Sequence, residues 1–258
     1  MALSNRDKAI LRVFEKNHTK GSTVVPFSLE DLREAVEKVG YREKNIADLR
    51  YQYVSGRSPL PDPIKKLGFK AIVGRGKGRY AFVHLIRDPE VDVPEDLAII
   101  PIPDATPEIV LEYAGADEQG LLAKLLYNRL IDCFLGITCY HLQNHLRTSL
   151  EEHGQIEVDA LYVGLDKTGR QYIIPVEAKG PKGRISRAQL AGNIAFACKN
   201  YPRLILRPVG AKAAADGSIF LYEFVPAQCL DDISVVEVKR YRLVPMDEVP
   251  LPDIESSD

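Results

Sequence analysis

Residues 156–180, IEVDALYVGLDKTGRQYIIPVEAKG, decide the fold of the second half of the chain. Apolar residues alternate along the segments on either side of the turn sequence DKTG, which predicts two strands joined as a hairpin. Three charged side chains interrupt these strands: Asp159 in the first, and Glu177 and Lys179 in the second. Side chains alternate between the two faces of a strand, so Glu177 and Lys179 project together, and hairpin pairing brings Asp159 beside them. The sequence therefore predicts two carboxylates and an ammonium close together on a largely apolar sheet.

This charged cluster has a chemical explanation. Two adjacent carboxylates are costly to bury unless a cation neutralises them. Their oxygens, with the backbone carbonyl of Ala178, would form an oxygen-rich site suited to Mg²⁺. A neighbouring lysine can orient a water or help to deprotonate it, and can balance charge that develops on a phosphate. The alternative is a structural salt bridge on an exposed sheet face, and the apolar neighbours Leu161, Val163 and Ile173 argue against it.

The elements predicted around the hairpin define the fold class. A helix is predicted over residues 117–136 and another over residues 186–201, because apolar residues recur there at helical spacing. Further strands are predicted at RLILRPV (203–209), SIFLYEF (218–224) and ISVVEVKRYRLVP (233–245). The order over residues 117–224 is then α, β, β, α, β, β, and the strand at 233–245 comes last. This order predicts an α/β (α+β) fold with a mixed central sheet flanked by helices.

The hairpin motif resembles a known nuclease family. Asp159, followed 18 residues later by Glu177-Ala178-Lys179, resembles the PD-(D/E)XK motif of restriction-endonuclease-like nucleases. The predicted elements over residues 117–225 are similar to the core of that superfamily, although Val158 stands where the motif often has proline. The resemblance implies that Asp159, Glu177 and the carbonyl of Ala178 bind Mg²⁺, with Mn²⁺ as a substitute. It also implies that Lys179 positions the attacking water.

The same resemblance suggests two accessory residues. Some relatives use an acid from the helix before the first strand, a role open to Glu118 or Asp117, and some use a glutamine on the following helix, a role open to Gln189. Each has a structural alternative. Acids in a first helical turn suit the helix dipole, and Ser186 with Gln189 matches a capping box. His141 and His145 are spaced to share one face of a helix, but they lack a third ligand and are expected at the surface.

Residues 1–86 are predicted to contain three helices and a β-hairpin. Ser4 precedes the first helix, Ser28 with Asp31 matches a capping box at the second, and residues 43–56 form the third. The strands FKAIV (69–73) and YAFVHL (80–85) flank a basic glycine-rich turn, GRGKGR (74–79). This order resembles a winged helix-turn-helix domain. The resemblance implies that the third helix enters the DNA major groove and the hairpin touches the backbone.

The residues expected to contact DNA are basic or carry amides. Arginine suits guanine and phosphate, and Asn or Gln suits adenine. The expected contacts are Arg42, Lys44, Asn45, Arg50 and Gln52 in the third helix, Arg75, Lys77 and Arg79 in the wing, and Lys182, Arg184 and Arg187 after the nuclease motif. Solvated surface charges, or a winged helix used for protein contacts, are the alternatives.

Residues 87–116, with five prolines, are predicted to be an extended linker between a winged-helix domain (1–86) and a nuclease domain (117–258). The charge is divided unevenly. Residues 1–90 hold 18 Lys and Arg against 11 Asp and Glu, and residues 91–258 hold 16 against 25. A basic front part suggests contact with a polyanion, and an acidic rear part suggests acidic chemistry.

Composition excludes several classes of protein. Charged residues make up 27% of the chain and hydrophobic residues 45%, as in globular proteins. No apolar run approaches the roughly 20 residues of a membrane helix, and the amino terminus lacks the apolar region of a signal peptide. The four cysteines form no CxxC pair that would indicate a zinc site. We therefore expect a cytoplasmic protein with reduced thiols and no membrane partner.

Together these features predict a Mg²⁺-dependent, site-specific double-stranded DNA endonuclease. The resemblance is closest to type II restriction enzymes, which leave 5′-phosphates, and a homodimer is expected because two cuts need two symmetry-related sites. One alternative is a repair or recombination nuclease that selects DNA structure. Another is a non-catalytic DNA-binding regulator with a nuclease-like dimerisation domain.

Overall fold

The structure is a computed structural model of the whole chain, and it describes residues 3–41, 49, 53, 58–94, 96–115 and 117–249. Within these residues the fold is mixed α+β, with a mixed central sheet flanked by helices. The predicted fold class is confirmed at that level.

The first elements form a small antiparallel sheet with helices around it. They are α1 (Asn5–Asn17), β1 (Val24–Ser28), α2 (Leu29–Lys38), α3 (Asp62–Lys65), β2 (Phe69–Gly74) and β3 (Arg79–His84), and the strand order is β1-β3-β2. The predicted caps are present: the Ser4 hydroxyl accepts from the Asp7 N–H, and Ser28 and Asp31 form a capping box. Strand β1 was not predicted. The predicted third helix lies outside the described residues except for Leu49 and Tyr53, which are both buried.

The large sheet has eight strands. Along it the order is β4-β11-β10-β9-β7-β6-β5, and β8 pairs with β7 beside this path. The pairs β7–β9, β7–β8 and β4–β11 are parallel and the others are antiparallel. The strands are β4 (Ile99–Pro103), β5 (Thr138–Leu150), β6 (Gly154–Leu165), β7 (Gln171–Lys179), β8 (Ile205–Leu206), β9 (Val209–Ala213), β10 (Ile219–Phe224) and β11 (Val235–Val244).

Helices cover both faces of this sheet. Helices α5 (Glu118–Tyr127) and α6 (Leu130–Leu135) pack through leucine and isoleucine side chains against Tyr162, Ile174 and Val176. Helix α7 (Arg187–Asn200) packs against the other face, where it contacts Leu161 and Ile173. The single helix predicted over 117–136 is therefore two helices. The break is at Arg129, whose φ of 49° lies in the left-handed region and cannot continue an α-helix.

Both edges of the sheet differ from the prediction. Strand β5 was missed, and His141 and His145 lie on it and not on a helix. Strand β4 lies within the predicted linker, pairs in parallel with β11, and is followed by α4 (Glu108–Tyr113). Alternate prolines, Pro101 and Pro103, suit an edge strand because proline cannot donate to a ladder on both sides. Residues 87–116 are thus not a simple extended linker, and the division into domains stays a prediction.

Candidate active site

The hairpin formed by β6 and β7 opens into a fork at one end. Its register runs from Leu165 opposite Gln171 to Ala160 opposite Val176, as the turn sequence predicts. Beyond that pair, the Ala178 N–H donates to Asp159 Oδ2 at 2.8 Å. A carboxylate therefore takes the place that a backbone carbonyl would occupy in a continued ladder. This bond fixes the Asp159 side chain in the opening between the two strands.

The fork brings the predicted charged residues together. Lys179 Nζ lies 2.5 Å from Glu177 Oε1 and 3.8 Å from Asp159 Oδ2. The Glu177 side chain is fully buried, and the side chains of Asp159 and Lys179 are 12% and 13% exposed. The cluster is therefore inside the protein, as its apolar neighbours indicated. Glu118 Oε1, on the first turn of α5, lies 3.9 Å from the same ammonium.

Burial and crowding shift the pKa values of these groups. Burial, and then the neighbouring Asp159 carboxylate, raises the pKa of Glu177 to about 7. Burial also raises the pKa of Asp159, against the opposing effect of Lys179. The Lys179 ammonium is disfavoured by burial, but the Glu177 and Asp159 carboxylates outweigh this effect and raise its pKa. The site thus holds more negative charge than its one ammonium compensates.

Asn193 completes the cluster and was not predicted from the sequence. It lies on the buried face of α7, and its Nδ2 donates to Glu177 Oε2 at 3.1 Å. Its Oδ1 is buried and has no hydrogen-bond partner among the described residues. A signal was present, because Asn193 is a polar residue within the apolar run LAGNIAFA, where an amide needs a partner.

The two accessory candidates differ in position. Glu118 faces Lys179, whereas Asp117 caps α5 by accepting from the N–H groups of Gln119 and Gly120. Gln189 is half-buried, one helical turn before Asn193 on α7. The Ser186 side chain makes no capping hydrogen bond, so the capping-box interpretation of Ser186 and Gln189 is wrong. A catalytic role for Glu118 or Gln189 stays a prediction.

An open groove lies beside the cluster. It has a volume of about 580 Å³ and is lined by Asp117, Glu118 and Gln119 on one side and by residues 180–183 on the other. The loop of residues 180–183 follows Lys179 directly, and a Cβ placed on Gly183 would lie 3.1 Å from the Lys179 side chain. The groove therefore begins where the fork ends.

The predicted DNA contacts are scattered among different environments. Arg42, Lys44, Asn45, Arg50 and Gln52 lie outside the described residues. The side chains of Arg75, Lys77 and Arg79 are exposed at the β2–β3 turn. This turn packs on the β5–β6 turn so closely that a Cβ on Gly76 would overlap the Glu151 carbonyl oxygen. The basic turn is therefore held against the start of β6, at Gly154, five residues before Asp159.

Three further candidates follow Lys179 in the sequence. Lys182 is exposed on the groove, and Arg184 is exposed but pairs with Glu90 at 2.7 Å. Arg187 is buried, and its guanidinium donates to the carbonyl oxygens of Asp88 and Ile233. The prediction that Arg187 contacts DNA is therefore wrong: its donors hold the segment after β3 against the segment before β11.

The donor set fits a divalent cation only in part. No group of three or more His, Cys, Asp or Glu side chains that could hold a metal ion occurs in the described part of the chain. The fork nevertheless offers two carboxylates on adjacent strands, and its three acids and one ammonium carry a formal charge of −2 when ionised. A hard divalent cation matches that charge and those oxygen ligands. Asp159 and Glu177 are thus the residues that could hold such an ion, with backbone oxygen and water as the remaining ligands.

Comparisons with known proteins identify no relative of this chain. The chain matches no protein-family model, no curated protein and no solved structure. None of the described helices is long and apolar enough to cross a membrane.

Proposed function

We propose that this protein is a Mg²⁺-dependent endonuclease that cleaves double-stranded DNA at specific sites. The observation that carries the proposal is the fork between β6 and β7, where Asp159, Glu177 and Lys179 converge with excess negative charge beside an open groove. A buried cluster of this kind weakens the fold, so it is expected at a functional site.

Each residue of the fork has a role in phosphodiester hydrolysis under this proposal. Asp159 and Glu177 would hold the cation, together with the Ala178 carbonyl. A bound Mg²⁺ supplies Lewis-acid activation of the phosphate and a more acidic water. Lys179, which the carboxylates keep protonated, orients the attacking water and balances charge on the phosphate. Asn193 orients Glu177 by donating to its second oxygen. The water oxygen would form a bond to phosphorus and lose a proton to solvent, while the bond to the 3′ oxygen breaks and that oxygen takes up a proton. The products are a 3′-hydroxyl and a 5′-phosphate.

Two features support a core of the restriction-endonuclease type. Strands β6 and β7, which carry Asp159, Glu177 and Lys179, form an antiparallel hairpin. Helix α7 then connects β7 to β9, which pairs with β7 in parallel. An acid from the helix before β6, Glu118, reaches the same ammonium. Both agree with the element order that the motif resemblance implies. A homodimer with two such sites follows from the need to cut both strands.

The first elements support a DNA-binding role. The order α1, β1, α2, α3, β2, β3 and the sheet order β1-β3-β2 are compatible with a winged helix, although most of the predicted third helix (43–56) lies outside the described residues. The exposed cations Arg75, Lys77 and Arg79 sit at the hairpin that would serve as the wing. The hairpin contacts the β5–β6 turn, which joins it to the strand that carries Asp159.

The test is incubation of purified protein with a large phage DNA, with Mg²⁺ or with EDTA. We expect discrete fragments that require Mg²⁺ and are absent with the isosteric variant Glu177→Gln. The exposed carboxylate variant Glu112→Gln serves as the control and should cleave like the wild type. A smear or nicked circles would replace site specificity with structure-selective cleavage. Tight duplex binding without any cleavage would instead indicate a regulator and would end the nuclease proposal.

A further inference from the structure

Lys212 is a buried lysine that the active-site cluster does not use. It lies on β9 directly beside Lys179 in the parallel register of β7 and β9, and it is 8% exposed. Its Nζ donates to three backbone carbonyls, those of Gly180 at 3.3 Å, Pro181 at 3.1 Å and Gly183 at 2.7 Å. It makes no ion pair with any described carboxylate. An ammonium buried without a carboxylate leaves a positive charge under the loop that it holds.

The loop of residues 180–183 is shaped by these bonds. The Gly183 N–H donates to the Gly180 carbonyl at 3.0 Å, so the four residues form a tight turn with proline at its second position. The same Gly180 carbonyl and two others point inward to Lys212. The loop is therefore a rigid wall of the groove, with its acceptors turned away from it.

Peptide geometry then fixes the direction of the donors. In a trans peptide the C=O of one residue and the N–H of the next point in opposite directions, and the described chain has no cis peptide bond. Since the carbonyls of Pro181 and Gly183 point to Lys212, the N–H groups of Lys182 and Arg184 point away from it. Neither N–H donates to a described residue. Two unpaired donors thus face outward from a loop that has a buried cation behind it.

We propose that this loop, backed by Lys212, is a backbone anion site that binds a phosphate of the DNA strand next to the one being cleaved. The N–H groups of Lys182 and Arg184, two residues apart, offer two donors to one anion, and backbone N–H groups over a positive charge are a common way of binding phosphate. The exposed Lys182 side chain adds a cation on the same wall. The opposite wall carries Asp117 and Glu118, so the loop is the side of the groove that favours an anion.

This inference rests on the proposed nuclease function only for the identity of the ligand. A Cβ placed on Gly183 would lie 3.1 Å from the Lys179 stem, so a phosphate bound on the loop would lie close to the fork. Lys212 acts through the loop and does not reach the reacting atoms, which makes it a positioning residue. Its role is to keep the two N–H groups turned into the groove.

The experiment is amide NMR of the full chain, ¹⁵N-labelled and kept in EDTA so that no metal-dependent cleavage occurs. It follows the Lys182 and Arg184 resonances during titration with a short DNA duplex and, separately, with inorganic phosphate. In the wild type we expect both amide protons to shift downfield with duplex. In Lys212→Met, which keeps the stem and removes the charge, we expect the shifts to disappear and duplex affinity to fall about tenfold. Lys212→Arg should restore at least part of both.

The outcomes separate this inference from the nuclease proposal. Duplex-induced shifts at both amides, lost in Lys212→Met, would support the site even if the protein cleaves nothing. Saturation by inorganic phosphate at the same affinity as duplex would overturn the assignment to a DNA strand. Absence of shifts at both amides in the wild type would overturn the site itself, whether or not the variants fold. Equal shifts in folded Lys212→Met would overturn the role of Lys212.

Discussion

Strand β7 has a buried or half-buried ion cluster at each end, and the two differ in charge balance. Near its start, Arg207 pairs with Glu223 through two hydrogen bonds of 2.6 and 2.7 Å, and a third guanidinium N–H donates to the Leu135 carbonyl at 3.0 Å. Near its end, the Lys179 ammonium faces three carboxylates, those of Glu177, Asp159 and Glu118. Each charge of the Arg207 cluster has a partner of opposite sign, whereas three carboxylates share one ammonium at Lys179.

This difference separates a structural ion pair from the cluster that we propose to be functional. The hydrogen bond to Glu223 raises the pKa of Arg207, and the bidentate geometry is the favourable form of such a pair. At the fork, burial raises the pKa of Glu177 to about 7, and Asn193 Oδ1 lacks a described partner. Folding therefore leaves the fork short of positive charge. A bound cation would supply it.

Removal of one fork carboxylate should have the largest effect. Glu177→Gln keeps the shape of the side chain but removes a ligand charge, and we expect Mg²⁺-dependent cleavage to fall about a thousandfold, about 4 kcal/mol in barrier. Single-turnover rates on a plasmid measure it. A variant that retains a tenth or more of the wild-type rate would show that Glu177 does not hold the metal.

Removal of the fork ammonium should destabilise the metal-free protein. Lys179→Met leaves buried carboxylates without their cation, and we expect the free energy of unfolding to fall by about 3–4 kcal/mol at pH 8 in EDTA. Urea unfolding measures it. The matched control is Lys182→Met, an exposed lysine three residues away, which should change little. Equal stability of the two variants would contradict the charge balance described for the fork.

Disruption of the Arg207–Glu223 pair, at the other end of β7, should lower stability but leave cleavage nearly unchanged. Arg207→Met removes the partner of Glu223, and we expect a loss of about 2–3 kcal/mol in unfolding free energy. Cleavage should stay within about twofold of the wild-type rate, because Arg207 lies at the far end of the strand. The two assays are run at a temperature where the variant is folded. A large loss of cleavage there would remove the distinction between the clusters.

The pH dependence of stability should also differ at the fork. The folded state raises the pKa of Glu177 from 4.5 to about 7, so it holds this proton more tightly than the unfolded state. The free energy of unfolding should then decrease as pH rises from about 4.5 to about 7, by on the order of 2 kcal/mol. Lys179, with its raised pKa, contributes no change in that range. Because burial raises the pKa of Asp159 as well, Glu177→Gln should keep only a smaller decrease in urea titrations in EDTA. A slope equal to that of the wild type would contradict the raised pKa of Glu177.

The smallest effect concerns the residue behind the fork. Asn193→Ala removes the donor to Glu177 Oε2, and we expect cleavage to slow about tenfold, which corresponds to one hydrogen bond to a charged group. Asn200→Ala, on the same helix with its amide bonded to the Phe196 carbonyl, is the matched control. If both variants cleave alike, Asn193 does not position Glu177.

The sequence predicted the part of the fold whose pattern is local. The β6–β7 hairpin, the caps of α1 and α2, and the strands β10 and β11 follow from alternation and from cap residues. The edge strands β5 and β4 were not predicted, and the reason is physical. Strand β5 has a half-exposed, mixed pattern, and β4 pairs with a strand more than 130 residues later, which no local periodicity encodes.

The site was predictable where its residues lie on the hairpin itself. Asp159, Glu177 and Lys179 were found because charge interrupts apolar strands. Asn193, Lys212 and the burial of Arg187 depend on how α7 and β9 pack against that hairpin. Such contacts are long-range and have no spacing that a sequence reveals.

We propose that Asp159 and Glu177 bind a divalent cation in the fork, and the affinity for Mn²⁺ measures this binding. Electron paramagnetic resonance of free Mn²⁺ gives the affinity for the wild type, Asp159→Asn and Glu177→Gln, with Glu112→Gln as the control. We expect Mn²⁺ to bind the wild type and the control with the same affinity. In both fork variants the affinity should fall at least about a hundredfold. Unchanged Mn²⁺ affinity in Asp159→Asn and Glu177→Gln, or no binding to the wild type, would contradict it.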